Sequence, residues 1–97
     1  MVVDALGSAL LDDLPEARLA AIWPLAWIQN ERTATILRQA YYREADPAIK
    51  AEIVRVSVNL MSTAGEDMLA DALTSSEPIL RGIAEQLTAR MKRTIVS

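Results

Sequence analysis

Apolar residues recur along this chain at three- and four-residue intervals, without the sustained alternation that a half-buried strand would show. Ala, Leu, Glu, Arg and Gln fill many of the positions that packing would leave free, a choice that favours helix. The pattern predicts an all-α fold of about six helices, near 2–11, 15–29, 32–43, 47–61, 66–74 and 78–94. Three of them open on a proline, in Leu14-Pro15, Asp46-Pro47 and Glu77-Pro78. Proline suits the first helical position because the amide there has no intrahelical partner. Asp46 is also a suitable N-cap, its carboxylate accepting from amides of the first turn.

The prolines stand 32 and then 31 residues apart, and a fixed period of this size marks stacked repeats. Residue chemistry returns in phase with it. Arg18, Lys50 and Arg81 each fall three residues after a proline, Ala21, Ile53 and Ala84 six after, and Ile28, Leu60 and Met91 thirteen after. The intervening helices match too: Ile36-Leu37 and Ala40-Tyr41 align with Met68-Leu69 and Ala72-Leu73. Leu6, Ala9 and Leu10 precede Pro15 as Leu69, Ala72 and Leu73 precede Pro78. The period divides a single domain, 1–97, into a half-repeat 2–13, repeats 14–45 and 46–76, and a half-repeat 77–97.

In a stack of this kind each hairpin leaves an apolar face for its neighbour to cover. Ile49, Ile53, Val54, Val56, Val58 and Leu60 make the helix at 47–61 apolar around most of its circumference, as expected of a middle layer. Ala17, Ala20, Ala21, Ala40, Ala51, Ala72 and Ala84 are expected where helices approach closely. Gly7 and Gly82 interrupt helical patterns at a cost of ~1 kcal/mol each, so close backbone approach is expected at both.

The strings Asp46-Pro47-Ala48-Ile49-Lys50 and Glu77-Pro78-Ile79-Leu80-Arg81 are each followed by an apolar helix. With a turn such as Ser62-Thr63-Ala64-Gly65-Glu66 and a second helix, they resemble HEAT repeats of the short bacterial type, also found in phycobilisome-lyase-like proteins. The resemblance covers essentially the whole chain. It departs at Leu14, where the other repeats have an acidic residue, and at Pro24, which removes a hydrogen bond inside the first long helix and kinks it. Kinked first helices are familiar in the family.

The resemblance implies an armadillo-like α-solenoid of stacked antiparallel hairpins, wound as a right-handed superhelical segment. It further implies that Arg18, Lys50 and Arg81 pair with acidic or carbonyl groups of the adjacent repeat rather than forming an anion-binding ladder. The function it implies is a non-catalytic protein–protein interaction scaffold, either a short α-solenoid in itself or a segment of a larger protein. The phycobilisome-lyase likeness implies instead a helper subunit or chaperone for bilin attachment. A HEAT-like nucleic-acid-binding protein is a further alternative, since some such proteins resemble DNA-repair glycosylases.

Composition narrows these choices. The chain has no cysteine and no histidine, which removes thiol nucleophiles, Ser-His and Cys-His pairs, and zinc or haem sites of the usual ligand type. Asp12-Asp13 and Glu66-Asp67 are adjacent carboxylates that point apart, whereas general acid–base work needs groups converging on one substrate. Asp67 and Asp71 share a helical face, but a magnesium site needs further oxygen ligands. No catalytic residue, cofactor or metal ligand is therefore expected, and the chain is read as no enzyme.

A net charge of −3 opposes nucleic-acid binding. The one basic cluster, Arg90, Lys92 and Arg93, suits a helix C-terminus. Charges interrupt every helix-length window, so no span of the ~20 apolar residues that cross a bilayer exists, and Met1-Val2-Val3-Asp4 lacks the basic start of a signal peptide. A cytoplasmic protein with no membrane partner is the expectation.

Two surfaces are candidates for binding a protein partner. Trp23 and Trp27 lie one helical turn apart and therefore on one face. In the repeat register they align with Arg55 and Gln86, and with Asn59 and Arg90, all polar, which predicts an exposed aromatic anchor. A kink at Pro24 would instead turn them into the core, and both placements stand open at this level. The second surface is the outward stripe of the second helices, which by the resemblance is the concave, partner-binding wall. It comprises Asp4, Ser8 and Leu11, then Arg32, Thr35, Gln39 and Tyr42, then Asp67, Asp71 and Thr74. The phase also predicts uncovered apolar faces at both ends, with Val2, Val3 and Leu6 at one and Ile83, Leu87 and Ile95 at the other. Self-association through these end helices, or membership of a larger protein, would cover them. A chain of this length buries only about 60–70% of its unfolded surface, so such cover would matter to stability.

Overall fold

Each of the three prolines opens a helix in the computed structural model, which describes residues 7–10, 13–28, 31–60 and 62–96. The helices are α1 (Pro15–Ile28), α2 (Glu31–Arg43), α3 (Pro47–Leu60), α4 (Ser62–Leu73) and α5 (Pro78–Val96). Residues 7–9 are helical as well, and there is no strand among the described residues. No helix among them is long and apolar enough to cross a membrane.

The three proline starts are built alike. The carbonyl before each proline accepts the amide four residues on: Leu14 from Arg18 at 3.2 Å, Asp46 from Lys50 at 3.0 Å and Glu77 from Arg81 at 3.0 Å. Asp46 also caps α3 as expected, its Oδ1 accepting from the Ala48 amide at 2.9 Å. The two described loops that lead into such starts share a further contact. Glu44 Oε1 accepts the Asp46 amide at 3.1 Å, and Ser75 Oγ accepts the Glu77 amide at 3.1 Å, each from two residues upstream.

Helix α3 lies at the centre, in contact with α1, α2, α4 and α5. Its side chains Ile49, Ala51, Ile53, Val54, Val56 and Ser57 are all buried, which accounts for the apolar character around its circumference. Contacts also join α1 to α2, α2 to α4, and α4 to α5. Ile22 and Leu25 from α1, Leu37 and Tyr41 from α2, Met68 and Ala72 from α4, and Leu80, Ala84 and Leu87 from α5 complete one continuous core. The molecule is a slab of 41 × 27 × 17 Å. Its radius of gyration, 12.9 Å, is near the ~12.5 Å of a compact chain of this length.

Several expectations are corrected. The stretch Ser62–Glu66 is helical rather than a turn, because α4 begins at Ser62. Gly65 is the reason the helix can run there. A Cβ on it would lie 2.7 Å from both Cα and N of Val58 and 2.8 Å from the Ser57 carbonyl carbon. Ser57 and Gly65 stand four residues either side of position 61, so this is the contact of a hairpin folding back on itself. Close approach thus belongs to Gly65 and not to the two glycines expected to provide it. A Cβ on Gly82 would meet nothing within 4 Å, and one on Gly7 would make ordinary contact with Ile36 at 3.7 Å.

Ala20 is exposed, unlike Ala21, Ala40, Ala51, Ala72 and Ala84, which are buried. Leu87 is buried and Ile83 packs half-buried against the core, so neither is an uncovered end residue. Among the described residues, Leu73 and Ile79 are apolar and exposed in the segment around the start of α5. Val2, Val3, Asp4, Leu6 and Leu11 lie outside the described residues, as does the side chain of Ile95.

Candidate interaction surfaces

Helix α1 is apolar on two sides. Ala21, Ile22 and Leu25 face the core, yet Leu19, Trp23, Trp27 and Ile28 are all exposed, Trp27 by 71% and Trp23 by 38%. The sequence left the tryptophans' placement open, and the structure puts both on the surface. Both stay outward although α1 runs through Pro24 to Ile28. The proline ring and Ala20, whose carbonyl loses its usual amide partner, both lie on the exposed side, where water can reach that carbonyl.

Trp23 is held in place from α3. Its Nε1 donates to Glu52 Oε1 at 3.0 Å, and the Arg55 guanidinium lies over its ring, 5.3 Å from the centroid. Glu52 and Arg55 are themselves an ion pair one turn apart. Trp27 projects beyond this bracket.

The second surface is formed by α2 and α4. Arg32, Thr35, Gln39 and Tyr42 are exposed along α2, as are Asp67 and Asp71 along α4 and Thr74 in the turn just after it. Ser8 is exposed too. The two aspartates, however, are engaged between the helices. Asp67 pairs with Arg38 at 3.1 Å, and Asp71 accepts from the Tyr41 hydroxyl at 2.6 Å. Spacing three apart on α2 meets spacing four apart on α4, so the acidic pair ties one helix to the next. Tyr41 itself is fully buried, its ring under Lys50 Nζ at 4.6 Å and edge-on to Tyr42. Desolvation, followed by the bond to and the charge of Asp71, holds its phenol well above the ordinary range.

Each of the recurring basic residues is engaged within the molecule. Arg18 grips Glu44 with Nε at 2.8 Å and Nη2 at 3.2 Å, and its Nη1 donates to the Asp13 carbonyl at 3.2 Å. Lys50 sits over Tyr41, and Arg81 donates to the Ser75 carbonyl at 3.3 Å. Arg18 thus reaches the loop that leads into α3. Glu44, which residue-type comparison did not single out, is 7% exposed and serves both Arg18 and the turn before α3. A recess of about 270 Å³ beside this pair is lined by Leu10, Asp13, Ala40, Arg43 and Ala45. No three acidic side chains converge as a metal site among the described residues.

No protein-family model, curated protein or solved structure gives a significant match to this chain.

Proposed function

We propose that the chain is a non-catalytic protein-interaction scaffold made of HEAT-like helical hairpins. The repeat reading is supported by the like-built proline starts, by the shared turn at Glu44 and Ser75, and by the contacts of α1 with α3, α3 with α5 and α2 with α4. In a stack each hairpin meets the next, and contacts run between elements close in sequence.

The observation that carries the interaction reading is the exposed apolar side of α1. A helix apolar all round is ordinarily buried all round, and tryptophan is the residue type most enriched among interface anchors. The test is affinity capture from cell extract with the intact chain and with a Trp23→Ala, Trp27→Ala double variant. Capture of one or more proteins, a second copy included, is expected to fall at least about tenfold in the variant while its circular dichroism stays helical. Equal capture by both would refute the reading.

A further inference from the structure

We infer that the exposed side of α1 binds a second copy of this chain, antiparallel across a two-fold axis that passes near Trp23. This inference rests on the reading of α1 as an interaction surface and names its occupant. A two-fold interface is self-complementary, so each group on the face must find its match on the same face. The α1 face meets that condition twice.

First, Leu19, Trp23 and Trp27 are spaced four residues apart and line one side of the helix. Leu19 and Trp27 therefore stand about 6 Å either side of Trp23 along the axis. When two such helices cross antiparallel at Trp23, Trp27 of each meets Leu19 of the partner subunit. Second, the polar groups bracketing Trp23 are one carboxylate and one guanidinium, Glu52 and Arg55. Rotation by a half-turn brings Glu52 toward Arg55 of the partner subunit and Arg55 toward Glu52 of the partner subunit. A like-charged bracket would have repelled its own copy. This one is neutral and alternates in sign, so it does not select for a strongly charged partner.

The available area sets the strength. A tryptophan buries about 150–250 Å² when covered, and the two here are partly covered already. The face thus offers a few hundred Å² per copy, the size of a patch that marks an interaction site but short of the ~800 Å² per partner of a stable complex. The dimer is accordingly weak and concentration-dependent, with a dissociation constant on the order of tens of micromolar.

Sedimentation velocity on the purified intact chain tests this without any other protein present. Between roughly 5 and 500 µM the weight-average mass is expected to rise from 10.6 kDa toward twice that value. Trp27→Glu is expected to stay monomeric throughout with an unchanged helical spectrum, since Trp27 makes little intramolecular contact. Glu52→Arg and Arg55→Glu are each expected to weaken the dimer at least about tenfold, and an equimolar mixture of the two to restore it. Three results would each overturn the inference: a wild-type chain that is monomeric at every concentration, a dimer that Trp27→Glu leaves intact, or a mixture no stronger than either variant alone. Monomeric wild type combined with Trp-dependent capture from extract would assign the face to a different protein, preserving the interaction reading while removing the second copy as its occupant.

Discussion

Tyr41 joins three helices through one side chain: its own α2, α3 through Lys50, and α4 through Asp71. Because its pKa is raised above the unfolded value near 10, the stabilisation linked to its proton is fully present below that pH and is lost as pH rises beyond it. Urea denaturation is therefore expected to show a loss of stability between pH 9 and pH 11 that is smaller in Tyr41→Phe than in the wild type. At neutral pH the same substitution removes the donor to Asp71 and should lower stability by about 1–2 kcal/mol. Equal pH dependence in the two proteins would contradict this account. In the sequence, Tyr41 is legible only as the counterpart of the apolar Leu73. The partner of its hydroxyl was not legible, since Asp71 is 30 residues away and exposed, and only the stacking of α2 on α4 brings the two together. The alignment also treats Tyr41 and Leu73 as equivalents, whereas one is fully buried and the other 36% exposed. Leu73 ends α4, and α2 packs on that helix with no counterpart beyond it among the described residues.

Among the elements, the α3–α4 hairpin depends most on one position. Gly65→Ala would drive a methyl into the Ser57–Val58 backbone, which cannot move aside as a flexible side chain could. The expected cost is about 3 kcal/mol, at the upper end for an added methyl in a packed interior. Gly82→Ala, where the space is open, should stabilise by up to ~1 kcal/mol. Thermal or urea denaturation of both variants checks the pair, and a similar response from the two would count against the close approach. The helix starts at Pro15, Pro47 and Pro78 were legible because their chemistry is local: ring geometry, a cap and a missing donor. The start of α4 was not, because Ser-Thr-Ala-Gly has the composition of a turn. Inside that helix Gly65 lies against the backbone of Ser57 and Val58, a contact that residue order does not display. The matched loops at Glu44 and Ser75 escaped for another reason. A carboxylate and a hydroxyl look unlike, yet each supplies an oxygen to the amide two residues on.

Over the whole molecule, stability is distributed according to how many helices flank each element. With α3 touching four others, its amides from Ile53 to Ser57 are expected to exchange with solvent deuterium only on global unfolding, while those of Ala72 to Thr74 exchange at least about tenfold faster. Uniform protection would mean that the ends are tied down as firmly as the centre.

At 17 Å across its short dimension, the slab is about one and a half helix diameters thick, and this bears on how such a body could grow. A ball gains interior faster than surface as its chain lengthens. A plate of constant thickness does not: its ratio of surface to volume is set by the thin direction and changes little with each added hairpin. Lengthening would deepen nothing, and every new buried side chain would still lie within one helix of water. Stability per residue in such a body approaches a plateau set by the contact between one hairpin and the next. That places a premium on shielding its broad faces, since greater length cannot do so.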